Sequence, residues 1–88
     1  MTVTATDVER SLREALAPVR LQVQDDSHLH VGHAGAREGR HFSLALTAEA
    51  FRGLSRVRRH RLVYDSLGPL MAQGIHALTI DARAPDEP

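Results

Sequence analysis

Three stretches of alternating apolar and polar residues constrain this chain most, because a helix-length segment separates the third from the second. Val19, Leu21 and Val23 alternate with Arg20, Gln22 and Gln24. Phe42, Leu44 and Leu46 share one side of residues 41–47, and His76, Leu78, Ile80 and Ala82 share one side of residues 76–83. A period of two is that of a strand with one buried face. The spacing therefore predicts strands over 19–25, 41–47 and 76–83. The first two follow one another directly and should pair antiparallel. The third is reached through a helix, so it should lie parallel to the second by a right-handed crossover. The second strand is then central.

The intervening segments read as helices. Thr6 and Glu9 have the spacing of a capping box, and Val8, Leu12, Ala15 and Leu16 recur on one helical face. Pro18 disfavours helix at Ala17, which predicts a helix over 6–16. Ser55 can cap a second helix running to about residue 73. Val57, His60, Val63, Tyr64, Leu67, Leu70 and Met71 form its apolar arc. Pro69 should kink or break it near Gly68, and Gly74 can close it. The expected architecture is α+β, in the order αββαβ, with a three-stranded mixed sheet and both helices on one face. Residues 1–88 make one domain, with 1–5 and 84–88 expected to fray.

Composition narrows the chemistry. The chain has no Cys, which removes disulfides, a thiol nucleophile and any self-sufficient iron–sulfur site. The formal net charge is +0, so no global field favours nucleic acid or a membrane. No apolar run approaches the ~18 residues of a membrane span. The start, Met1-Thr2-Val3-Thr4, lacks the basic and apolar regions of a signal peptide, and a cytoplasmic protein is expected. All 11 basic residues are Arg, which suits forked anion recognition, although a GC-rich coding bias is the more ordinary explanation.

Histidine is the informative residue. His28, His30, His33 and His41 fall between the first two strands, in or at the end of a Gly-containing segment far longer than a hairpin turn. Parallel neighbours begin at the same edge of a sheet, so this segment should meet His76, which opens the third strand. His41 is a third donor candidate, with a structural role as the more ordinary reading. Arg59-His60-Arg61 belongs to the other end of the second helix, about 20 Å away. His60 falls on the apolar arc and is expected to be buried and hydrogen-bonded, with Arg59 and Arg61 more exposed. Arg56, Arg58, Arg59 and Arg61 crowd a helix start whose dipole disfavours cations. Acidic partners within the fold, an acidic protein surface or phosphate would offset that. No nucleophile–base pair has supporting spacing, so an enzyme is not expected.

Asp25-Asp26-Ser27-His28-Leu29-His30, Val31-Gly32-His33-Ala34-Gly35, His41-Phe42, Phe51-Arg52-Gly53, Arg59-His60-Arg61-Leu62-Val63-Tyr64 and Ile75-His76-Ala77-Leu78 occur in that order. Together they resemble the BolA family across nearly the whole chain. The resemblance implies an αββαβ fold similar to a class II KH domain. It implies a partner, a monothiol glutaredoxin with a Cys-Gly-Phe-Ser site, and a 2Fe–2S cluster shared with that glutaredoxin and glutathione. It implies His76 as one cluster ligand and a loop residue as the other, His30 before His33, with no cofactor expected on the isolated chain. The family has also been described as transcriptional regulators, which makes Arg58, Arg59 and Arg61 candidates for weak DNA contact. The Gly-x-x-Gly clamp of KH domains is absent, since Gly53-Leu54-Ser55-Arg56 does not match it.

Overall fold

Thr4 and Asp7 close the first helix at its start. The Thr4 hydroxyl accepts the Asp7 amide at 3.1 Å, and the Asp7 carboxylate accepts the Thr4 amide at 3.0 Å. The box sits two residues before the one expected at Thr6 and Glu9, and Val3, just ahead of it, is buried in the core at 2% exposure. In this computed structural model, which describes residues 3–26 and 40–87, α1 spans Ala5–Leu16. Val8, Leu12 and Leu16 are its buried stripe. Pro18 ends it, and Ala17 turns the chain out through a left-handed conformation at φ 45° and ψ 54°.

Strands β1 (Arg20–Asp25), β2 (Arg40–Thr47) and β3 (Ile75–Arg83) form one sheet in the order β1-β2-β3. β1 pairs antiparallel with β2, and β3 pairs parallel with β2, as the alternation predicts. Phe42, Leu44 and Leu46 are buried beneath the helices, while Ala45 on the opposite face is exposed. Val8, Leu12, Phe42, Phe51, Val63 and Leu67 are the largest fully enclosed side chains.

A 3-10 turn over Glu49–Phe51 follows β2 and delivers Phe51 to the core. Helix α2 spans Arg56–Leu67, capped by the Ser55 hydroxyl, which accepts the Arg58 amide at 3.2 Å. Pro69 breaks it as expected. Gly68 takes φ 51°, and a 3-10 stretch over Gly68–Ala72 carries the chain to β3. The helix is thus closed at Gly68 rather than Gly74.

The buried face of α2 differs from the expected arc. Val63 and Leu67 are buried, but Val57 is 67% exposed and Tyr64 is 40% exposed. His60 is half-buried, and its imidazole makes no hydrogen bond among the described residues. The inward line is instead Arg59, Val63 and Leu67, spaced by four. The helix is turned because the Arg59 guanidinium has internal acceptors, a possibility hydrophobicity alone does not register.

Both ends expected to fray are tied down over their described residues. Val3 is buried, and Ala84 is 1% exposed and donates its amide to the Glu87 carboxylate at 2.8 Å.

Ala17→Gly tests the helix exit. A non-glycine residue in the left-handed region costs about 1–2 kcal/mol. Glycine removes that strain but adds about 0.4–1 kcal/mol of unfolded-state entropy. Urea unfolding should show the variant stabilised by up to about 1 kcal/mol.

Candidate functional site

One edge of the sheet gathers the residues that open β2 and β3. The Arg40 amide donates to the Gly74 carbonyl at 2.8 Å, and the Asp26 amide to the His41 carbonyl at 2.8 Å. Arg40, which follows residues 27–39, therefore stands beside the start of β3, while Asp26, which precedes them, stands across β2 on the β1 side of the same edge. The Arg40 guanidinium pairs with the Asp25 carboxylate at 2.8 Å, and the Ser43 hydroxyl donates to the Asp26 carboxylate.

A β-bulge sets the position of His76. Arg40 is opposite Ile75, and the next residue, His41, is opposite Ala77, so His76 is the additional residue in β3. Ile75 is buried, and Leu78 packs against the core. These two are three residues apart, an odd spacing, so both reach the same face only with one residue inserted between them. The alternation placed His76 beside Leu78 and Ile80. The bulge turns it away from them, and its exposed imidazole rests against that of His41. The ring centroids are 4.9 Å apart at 43°. His28, His30 and His33, including the two expected to act with His76, lie outside the described residues. Among the described residues, no group of three or more His, Asp and Glu gathers into a metal-sized cluster.

The His41–His76 contact was missed in the sequence, although a signal for it existed. Each residue stands at the beginning of a parallel neighbour, so the shared-edge argument applies to both. The odd spacing of Ile75 and Leu78 was the sign of the bulge.

The opposite end holds the arginines. Arg59 is 14% exposed and donates to the Leu54 carbonyl at 2.9 Å and the Ala82 carbonyl at 3.0 Å. It also grips Glu87 with two bonds of 2.6 and 2.8 Å. Its expected greater exposure is therefore corrected, whereas Arg61 is exposed. Arg52 binds Glu49 and reaches Asp86 at 2.8 Å. Intramolecular carboxylates thus answer part of the charge crowded at the start of α2. Arg56, Arg58 and Arg61 are exposed and make no ion pair among the described residues. A cleft of about 530 Å³ opens here between Leu54, Arg56 and His60 on one side and Ile80 and Ala82 on the other.

This architecture matches proteins already known. The family model described as BolA-like protein matches residues 12–87. A Sinorhizobium relative called "Uncharacterized protein in cobS 5'region" is 42% identical over 100% of this chain and 97% of its own length. The solved BolA domain of SufE1 from Arabidopsis thaliana superposes with a TM-score of 0.82 at 41% identity, covering 97% of this chain and 95% of that one. The Escherichia coli DNA-binding transcriptional regulator BolA is 36% identical over 83% of this chain and 68% of its own length. The chain belongs to the BolA family. It spans 23% of the Arabidopsis SufE-like protein 1 and 54% of Arabidopsis BOLA1, so some relatives carry much more than this domain. No described helix is long and apolar enough to cross a membrane.

The Arg59–Glu87 pair has a pH signature. Arg59, with help from the Ala84 amide, holds the Glu87 carboxyl at about 2, below its ordinary 4.5. A depressed carboxyl contributes its full stabilisation above its unfolded value and loses it as pH falls through its folded value. The melting-temperature gap between the wild type and Glu87→Gln should be full above about pH 4.5 and close toward pH 2. Arg59→Ala, which removes the donor to the Leu54 and Ala82 carbonyls and to Glu87, should lower the urea unfolding midpoint.

Proposed function

We propose that this protein is a small adaptor that binds a monothiol glutaredoxin and co-ligates a bridging 2Fe–2S cluster, in iron–sulfur trafficking or iron sensing. The observation that carries the reading is His76: an exposed imidazole at the sheet edge, held out by a bulge, one residue beyond the Ile75 that pairs with Arg40, where the His-rich segment ends. The donor set fits the group. Neutral imidazole is a good metal ligand, and His in place of thiolate is known chemistry for such clusters. The chain has no Cys, so its contribution is imidazole alone, and the thiolates come from the glutaredoxin and glutathione. His76 is one ligand, and His30, with His33 next, supplies the other. When bound, the cluster supplies a one-electron or transferable inorganic centre. The chain's part is to present the His76 imidazole from a rigid sheet and to dock the partner. This role is non-enzymatic, in a cytoplasmic setting.

A second reading has its own support. Arg56, which lines the cleft, and Arg58 and Arg61 are exposed and make no ion pair among the described residues, and the Escherichia coli relative is named a DNA-binding regulator. Arg59 contributes least to it, since its donors are occupied within the fold. Such contacts would be to phosphate and would weaken steeply with salt. With a net charge of +0, the expected affinity is non-specific, about 10⁻⁴–10⁻⁶ M at physiological salt.

Anaerobic reconstitution with a monothiol glutaredoxin and glutathione separates the two. The mixture should give a heterodimer with visible absorbance and circular dichroism distinct from those of the glutaredoxin alone. His76→Ala should remove that distinct spectrum, and replacing His30 should alter it more than replacing His33. An unchanged heterodimer spectrum in His76→Ala refutes the ligand assignment. Tight, sequence-selective DNA binding at physiological salt reverses the ranking of the two readings.

A further inference from the structure

The chain after β3 bends back onto the arginines at the start of α2. Glu87 accepts two bonds from Arg59, at 2.6 and 2.8 Å, and Asp86 accepts one from Arg52 at 2.8 Å. We propose that residues 84–87 are an autoinhibitory strap, whose two carboxylates occupy guanidinium groups that otherwise grip the phosphates of a nucleic-acid backbone, and that such a backbone displaces it. This rests on the nucleic-acid reading of the cleft, to which it adds regulation.

Arg59 is arranged as an anion receptor independently of Glu87. Its Nε donates to the Leu54 carbonyl at 2.9 Å and its Nη1 to the Ala82 carbonyl at 3.0 Å. Both acceptors are backbone atoms, one just before α2 and one in β3, and together they fix the plane of the guanidinium. Such support by a surrounding shell is what preorganises a binding group. The edge formed by Nη1 and Nη2 then points at the two carboxylate oxygens of Glu87. Two oxygens on one guanidinium edge is also the way Arg holds phosphate. Glu87 therefore has the place and the geometry of a ligand, supplied by the chain itself. The Ala84 amide, donating to the Glu87 carboxylate at 2.8 Å, keeps it there.

The surroundings favour more negative charge than the strap brings. Arg56 lines the cleft together with Arg59, is exposed, and makes no ion pair among the described residues. Both belong to the first turn of α2, where the helix dipole adds positive potential. The strap itself is held at the surface. The Asp86 side chain is 71% exposed and that of Glu87 38% exposed. Exposed ion pairs are weak and are screened by salt. Contacts of that kind exchange readily for a polyanion that brings several phosphates at once. Ala84 is buried, so the strap lifts beyond it while the sheet stays as it is.

Fluorescence anisotropy with a labelled DNA duplex of random sequence, titrated with the full chain over a salt series, tests the strap. The Asp86→Asn, Glu87→Gln double variant should bind at least about 10-fold more tightly than the wild type at about 0.1 M salt. Its log K against log salt should steepen by about 0.9 for each guanidinium freed. A Glu14→Gln, Asp65→Asn variant makes the same change in net charge at exposed residues that pair with no arginine among those described, and it should keep the wild-type slope. Arg52→Gln should change wild-type binding less than about two-fold, but in the double variant it should take back about 0.9 of the slope. Asp86→Asn alone, at the more exposed end of the strap, should give a smaller gain of the same sign and serves where the double variant loses stability. Equal affinity and slope in the wild-type and strap variants, or an equal gain in the charge control, overturns the strap and leaves the nucleic-acid reading standing. Absence of duplex binding by the wild type and the strap variants alike overturns both.

Discussion

Burial of Phe42, Leu44 and Leu46 along the central strand is the interaction on which the rest of this fold depends. Each side chain is 1–2% exposed, and full burial of such a residue is worth about 1.5–3 kcal/mol. A one-residue slip of β2 would turn all three to water, so their burial pins its register against both neighbours. The antiparallel partner β1 and the parallel partner β3 inherit that register, and the helices cover the face it creates. Ser43 and Ala45 consequently face the uncovered side, and so does His41.

That pinned register also organises the chemistry at the sheet edge. Parallel pairing places the starts of β2 and β3 side by side. The core then demands Ile75 and Leu78 together, and their odd spacing expels His76 as a bulge. Hydrophobic burial inside the domain is therefore the cause of an exposed imidazole outside it. The same logic separates the molecule's two polar regions. His41 and His76 occupy the edge where β2 and β3 begin, and Arg52, Arg56, Arg59 and Arg83 cluster where they end.

The arginine-rich end shows how local electrostatic conflict is settled by distant residues. The start of α2 carries cations that its dipole disfavours. Arg59 resolves its part by turning inward to two carbonyls and to Glu87, 28 positions later. Arg52 does so through Glu49 and Asp86. These contacts also hold the chain after β3 against the body of the domain. Helical periodicity in residues 57–71 was readable, but the inward face was misjudged by about one position. Hydrophobicity counts Arg as an outward residue, whereas a guanidinium with enough acceptors can lie within.

By itself, the sequence determined the number, type and order of the elements, the parallel and antiparallel pairings, the helix break at Gly68-Pro69 and the family. Those features follow from period, chain connectivity and backbone restrictions of Pro and Gly, all of which act locally or through simple topology. Tertiary structure alone decided which of two overlapping Thr boxes caps α1, which way α2 rolls, and how His76 is aimed. Each of these is a choice between nearly equal local options, at Thr4 against Thr6, Arg59 against His60, and one side of β3 against the other. Only core packing and long-range hydrogen bonds, formed after the chain has closed, carry enough free energy to select among them.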